Sequence, residues 1–133
     1  MDIYEVLYVS TLAPTAPVSA VSSIATKSRV ANALRSITGM LIFDGTRFCQ
    51  YLEGGRDDLL SLLERISGDA RHTGVTLIHH GPLQERRFKK FSLAFVNGDD
   101  FEALNRLEAL KGQSGIAAFA ELVPTLDKEA HCC

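Results

Sequence analysis

The sequence predicts an α+β protein: a ferredoxin-like β-α-β-β-α-β sheet with an added fifth strand and a C-terminal helical cap. Three observations carry this. Strand-like alternation and helix-like apolar spacing follow one another along the chain in that order. An Asp-Gly step joins two neighbouring strand-like runs, which marks a hairpin. Beyond a fifth strand-like run the tail returns to helical spacing.

Residues 2–10 alternate, with Ile3, Leu7 and Val9 on one side and Tyr4, Val6 and Tyr8 on the other, so this strand has two usable faces. Thr11 to Ala16 reads as a linker. Pro17 suits the first position of a helix, where its fixed φ helps and its missing N–H is not needed. From Val18 to Arg35 the stripe Val21, Ile24, Ala25, Ser28, Asn32 keeps helical spacing. MLIF (40–43), Asp44-Gly45 and RFCQYLEG (47–54) form the hairpin, and Gly54-Gly55 breaks it. DDLLSLLERIS (57–67) sets Leu59, Leu62, Leu63 and Ile66 on one helical face and stops at Gly68. VTLIHH (75–80) reads as a fourth strand, Gly81-Pro82 as a turn, and FKKFSLAF (88–95) as a fifth strand. Asp99 and Glu102 make a capping box for a last helix, in which Phe101, Leu104 and Leu107 share a stripe ending before Gly112. The apolar positions Leu7, Cys49 and Tyr51 lie on the sheet face away from the first two helices. The tail is expected to cover that face.

With 133 residues, 46% of them hydrophobic and 23% charged, the chain suits one domain with its own core. A net charge of −2 argues against a general nucleic-acid binder, although Arg86, Arg87, Lys89 and Lys90 make a local basic patch. Within ERRFKK (85–90) that charge reads as a solvated strand edge resisting aggregation. No apolar run reaches the ~18 residues that span a bilayer, and the acidic, strand-like start is not a signal peptide. Three cysteines, with Cys132 and Cys133 adjacent at the end, build no disulfide framework, so a reduced cytoplasmic protein is expected. There is no GxGxxG, GxxxxGK[ST] or GxSxG motif. Cys49 with His72 lacks the flanking sequence of a nucleophile and its base. His79 and His80, adjacent on a strand, face opposite ways and cannot share a metal. His131 joins the terminal cysteines where chains fray. Neither an enzyme nor a metal site is expected.

Polar residues on apolar stripes are the sharper signal. Asn32 falls on the core-facing stripe of the first helix, where its carbonyl and amide hydrogens need partners or cost ~1–3 kcal/mol. Gln50 is flanked on its strand face by Phe48 and Leu52, under the helices. Tyr8 shares its face with Val6 on a strand that this fold places beside the one holding Gln50. These three side chains either bond to one another in a closed network or offer amide and phenol groups to a planar ligand with polar edges.

At these residues the chain resembles a known family. LYVS (7–10), RVANALRSITGMLIFDGTRFCQYLEG (29–54), GDARHTGV (68–75) and GPLQERRF (81–88) are similar to BLUF domains, the blue-light sensors that use flavin. The resemblance covers roughly residues 2–96, dividing the chain into a flavin-binding domain (1–96) and a C-terminal helical extension capping the sheet (97–133). It implies that Tyr8 is the photoactive tyrosine, Gln50 the switching glutamine, and Asn32 the asparagine at the polar edge of the flavin ring. It further implies that Ile24 and Ser28 line the same pocket, and that Asp69, Arg71 and His72 surround the flavin side chain and ring edge. The family's Trp-Ser-Met is Phe91-Ser92-Leu93 here, so the signal relay passes residues without an indole N–H or a thioether. Position 31, often polar in the family, is Ala31.

What the resemblance implies for function is a blue-light photoreceptor of the short, stand-alone type. It binds flavin between two helices and signals by light-driven rearrangement of a Tyr-Gln-flavin hydrogen-bond network. FAD is the family's usual cofactor, and FMN or riboflavin carries the same ring. Binding is expected to be non-covalent, since Cys49 points away from the face holding Gln50. The implied partners are an unknown downstream protein or a second copy in a homodimer, with neither membrane nor direct nucleic acid. The residues alone leave a rival open: a ferredoxin-like binding or assembly protein without photoactivity.

Overall fold

A computed structural model describes residues 3–13, 20–68, 72–96 and 103–128. Strands β1 (Ile3–Leu12), β2 (Thr38–Phe43), β3 (Arg47–Gly54), β4 (His72–Leu83), β5 (Phe91–Phe95) and β6 (Asp127–Lys128) form one sheet. Its order is β4-β1-β3-β2-β5-β6. β2 and β5 run parallel and every other neighbouring pair antiparallel. Helices α1 (Ala20–Leu34) and α2 (Arg56–Ser67) cover one face, and α3 (Ala103–Ala109) and α4 (Gln113–Leu122) cover the other. The α+β, ferredoxin-like expectation holds.

A layer on each face explains the burial of β1. Residues 5–10 are all buried, so both sides of its alternation are used. Val6, Tyr8, Leu41, Phe48, Leu52 and Leu93 join Val21, Ile24 and Leu59 in the core under α1 and α2. Leu7, Val9, Met40, Ile42, Cys49 and Tyr51 meet Leu104, Leu107, Ile116 and Phe119 in the core under α3 and α4. The stripe read in the tail therefore lies where expected at Leu104 and Leu107. Phe101 and the capping pair Asp99 and Glu102 fall outside the described residues. Arg47, at the start of β3, bonds Asn105 and Glu108 on α3 and ties that helix to the sheet.

The hairpin forms as its turn residues dictate: Asp44 Oδ1 accepts the N–H groups of Thr46 at 2.9 Å and Arg47 at 2.7 Å. In α2, Asp57 and Asp58 place negative charge in the first turn, and Gly68 N–H bonds Glu64 O at 3.2 Å to close the end. Two glycines permit close approaches. At Gly39 (φ 149°) a Cβ would lie 1.9 Å from the Tyr51 carbonyl oxygen, so β2 can pair there only without a side chain. At Gly115 a Cβ would lie 2.4 Å from Ile78, which is how closely α4 meets β4.

Three boundaries differ from the sequence reading. The start of α1 is not among them, since the helix is described from Ala20 and Pro17 lies outside the described residues. β4 runs on through Gly81-Pro82, read above as a turn; β4 is an edge strand, and proline's missing N–H is tolerated there. β5 starts at Phe91 and not Phe88, because residues 87 and 88 bond a buried carboxylate instead of a strand. The tail forms two helices, α3 and α4, with Gly112 between them, and adds a two-residue β6 beside β5.

Candidate functional site

Register alone brings the singled-out strand residues into one row. Tyr8 on β1 pairs with Gln50 on β3, Gln50 with Leu41 on β2, and Leu41 with Leu93 on β5. Directly paired residues share a face, so this row lies beneath α1 and α2. Tyr8 is fully buried and Gln50 is 3% exposed. The Tyr8 hydroxyl donates to Gln50 Oε1. That bond leaves the two amide hydrogens of Gln50 as donors for whatever lies next to them.

Asn32 sits in the last turns of α1 at 1% exposure. Its main-chain carbonyl accepts N–H groups from Ile37 at 2.8 Å and Arg35 at 3.1 Å, so the backbone finishes the helix. Its side-chain Nδ2 is buried and has no hydrogen-bond partner among the described residues. An amide donor left so costs about 1–3 kcal/mol unless an acceptor arrives. One and two turns earlier on the same stripe, Ser28 is half-buried and Ile24 buried. Ala31 is half-buried. Phe91 and Leu93 are buried on β5 against α1. His72 opens β4 opposite Leu12, its side chain outside the description, and Asp69 and Arg71 lie outside the described residues.

The opposite face holds a network that the sequence reading passed over. Glu5 and Glu53 are directly paired across β1 and β3, and both are buried. Glu53 accepts from Thr38 Oγ1 at 2.7 Å and from the backbone N–H groups of Arg87 and Phe88, each at 2.8 Å. Glu5 meets His79 Nε2 at 3.0 Å and Arg87 Nε at 3.5 Å. The Tyr51 hydroxyl lies 2.8 Å from Glu5 and 3.1 Å from Glu53. Burial, its bond to Glu5 and the charge of Glu53 hold the Tyr51 phenol well above the ordinary range. The available signal was a glutamate in an otherwise apolar alternation, at both positions 5 and 53. Neither has meaning until the pairing is known.

Nucleophilic and metal chemistry find no support among the described residues. Burial pushes the Cys49 thiol up to about 12, with Arg47 offsetting it only in part, so it is not a thiolate near neutrality. Cys49 belongs to the core under α3 and α4, away from Gln50. His79 and His80 separate as expected: His79 is buried on Glu5, and His80 is exposed beside the Tyr4 hydroxyl. No described group of histidines, cysteines and carboxylates could hold a metal.

The match that decides the family spans residues 3–94: sensors of blue light using FAD, or BLUF. The chain belongs to the BLUF family. Its likeness to the solved structure of BlrB, a BLUF protein in its dark state, reaches a TM-score of 0.75 at 30% identity, over 93% of this chain and 94% of that one. That coverage runs past residue 94, so the BLUF core and part of the helices after it have counterparts there. The ground state of BlsA shares the fold, with a TM-score of 0.80 at 22% identity over 98% of this chain and 94% of that one. The photoactivated adenylate cyclase subunit beta of Euglena gracilis is 51% identical over 55 residues, 41% of this BLUF chain. The chain spans only 6% of that relative's length, so the likeness concerns a sensor segment and not the cyclase. None of the described helices is long and apolar enough to cross a membrane.

Proposed function

We propose that this BLUF chain is a blue-light photoreceptor that holds flavin between α1 and α2 and signals by rearranging the Tyr8–Gln50 hydrogen bond. The observation that carries the reading is the buried Tyr8 hydroxyl donating to Gln50 Oε1 on the sheet face that α1 and α2 cover, where the buried Asn32 amide of α1 has no partner among the described residues. A flat ring with carbonyl acceptors on one edge fits those donors, and flavin is the ring the family uses. FAD, FMN and riboflavin share that edge, so Asn32 and Gln50 serve all three, with FAD the form in the family's description.

When bound, flavin supplies blue-light absorption and an excited state able to draw an electron from a nearby phenol. Tyr8 would be the electron donor, and its O–H proton has a direct path to Gln50 Oε1. Rotation of the Gln50 amide about its Cγ–Cδ bond would exchange its donor and acceptor ends, and Tyr8, with its electron and proton restored, would be chemically unchanged. An amide suits this because the exchange changes the neighbouring ring edge without moving a backbone atom. Asn32 Nδ2 would hold the ring by donating to a carbonyl of that edge. Ile24 and Ser28 would line the wall beside it, and the family resemblance assigns Asp69, Arg71 and His72 to the flavin side chain and ring edge. The row Gln50–Leu41–Leu93 carries the change to β5, which α1 also contacts. Residues 1–96 form the sensor and 97–133 the cap, and a downstream protein or a second copy reads the state.

Absorption spectra in the dark and after blue light test this. Yellow protein whose flavin bands move reversibly to longer wavelength is the expected result. Colourless protein, or bound flavin with unchanged bands, overturns it and leaves a binding protein of the same fold.

A further inference from the structure

We infer a second ligand site, for a nucleoside phosphate, in a cavity of about 950 Å³ on the far side of α1 from the Tyr8–Gln50 row. Its lining carries Arg29, Arg86, Lys89 and Lys90 with no carboxylate, and also Arg87, whose guanidinium is paired with Glu5. Ala33, Ile37 and Phe91 supply an apolar wall. A volume near the upper end of small-ligand pockets, apolar on one side and cationic on the other, fits a flat base joined to phosphates. Ile37 and Phe91 belong to the same core as Ile24 and Tyr8, but the cavity lining includes none of Tyr8, Ile24, Ser28, Asn32 or Gln50. Arg29 and Ala33 follow Ser28 and Asn32 by one residue, a turn of about 100° around the helix, so the two sites are distinct.

The cationic wall is built rather than loose. Both Glu53 oxygens accept backbone N–H groups of this segment, from Arg87 and Phe88. Gly39 N–H bonds Lys90 O at 3.0 Å. Arg86 Nη1 donates to Thr38 Oγ1 at 2.9 Å and to Glu53 O at 3.2 Å. The backbone between β4 and β5 is therefore anchored at several points, while Lys89 and Lys90 are exposed and make no ion pair among the described residues. Both line the cavity, so their charges add to one positive field that an anion would neutralise. The charge is also confined to one short segment and one helical residue. A nucleic-acid surface needs a longer basic stripe, and the chain as a whole carries a net −2.

Calorimetric titration of the flavin-loaded full chain with ATP, and separately with inorganic pyrophosphate, tests the assignment. ATP should bind with one site per chain, more tightly than pyrophosphate, which lacks the base for the apolar wall. The double variant Lys89→Ala/Lys90→Ala should weaken ATP binding by about tenfold or more, with the flavin spectrum unchanged. Three results would overturn the inference: no heat at millimolar ATP, equal ATP affinity in the double variant, or flavin released by ATP. Tighter binding of a mixed-sequence single-stranded oligonucleotide than of ATP would also overturn it, making the face a nucleic-acid surface.

Discussion

Gln50 stands between Phe48 and Leu52 on a fully buried strand, and its position is paid for in desolvation that only a matched set of partners offsets. Tyr8 satisfies one end of the amide. In Tyr8→Phe the ring and its packing survive but the phenolic O–H is gone and electron donation becomes much harder. In Gln50→Leu the volume is roughly kept but the donor–acceptor exchange is not available, and the ring edge loses a partner worth ~1–3 kcal/mol. Both variants should bind flavin and neither should give the reversible shift to longer wavelength. A normal shift in Gln50→Leu would exclude the amide as the switch. Leu93→Met should keep the shift and alter the rate of dark recovery, since residue 93 is two strands away from Gln50 in the row and moves no proton; an absent shift would give it a direct role.

Cys49 makes a separate residue-scale statement. Its thiol is raised from 9.0 to about 12 by burial. A raised folded value means the native state holds the proton after the unfolded chain has released it. The stabilising contribution is complete below pH 9.0 and is lost as pH climbs toward about 12, at roughly 1.4 kcal/mol per pH unit. The Tyr51 phenol, shifted in the same direction, adds to the loss above its ordinary range. The urea midpoint should be flat up to about pH 9 and fall beyond it. A midpoint that stays level well above that pH would contradict the burial of both groups.

Elements were legible wherever a local pattern decides them. The alternation of β1, the Asp44 turn and the Leu59–Ile66 stripe of α2 depend on neighbours within a few residues, and the structure follows them. The segment before β5 does not, because its conformation is decided by Glu53, more than thirty residues earlier. Gly81-Pro82 was misread for the same reason: only the sheet order makes β4 an edge where proline is harmless. The polar residues Tyr8, Asn32 and Gln50 could be found from spacing alone, whereas the Glu5–Glu53 pair requires knowing that β1 and β3 are neighbours. Glu53→Gln tests the anchoring role of that pair. An amide nitrogen would face one of the two N–H groups that the carboxylate now accepts, leaving donor against donor. A loss of about 1–3 kcal/mol follows, with faster hydrogen exchange at the amides of Arg87 and Phe88. Unchanged exchange there would mean that the segment is held by other contacts.

The whole molecule has two cores on one sheet, and only one of them belongs to the proposed light-sensing site. The second is completed from the tail by Leu104, Leu107, Ile116 and Phe119, each buried by 95% or more. Burial of a large apolar side chain contributes about 1.5–3 kcal/mol, an upper bound given residual structure in the unfolded chain. Four of them approach the ~5–15 kcal/mol that holds an entire domain together. Truncation after Asn97 removes all four, together with the Arg47 contacts to Asn105 and Glu108. Leu7, Val9, Ile42 and Tyr51 would then face water, an apolar patch that a monomer does not keep uncovered. The truncated chain should therefore dimerise or aggregate in size-exclusion chromatography and bind a hydrophobic dye. Flavin absorption should largely persist, because Tyr8 and Gln50 lie on the sheet face covered by the other pair of helices and Asn32 is on one of them. A truncated chain that stays monomeric and dye-negative would show that α3 and α4 do not cap this face, and that the sheet is covered in another way.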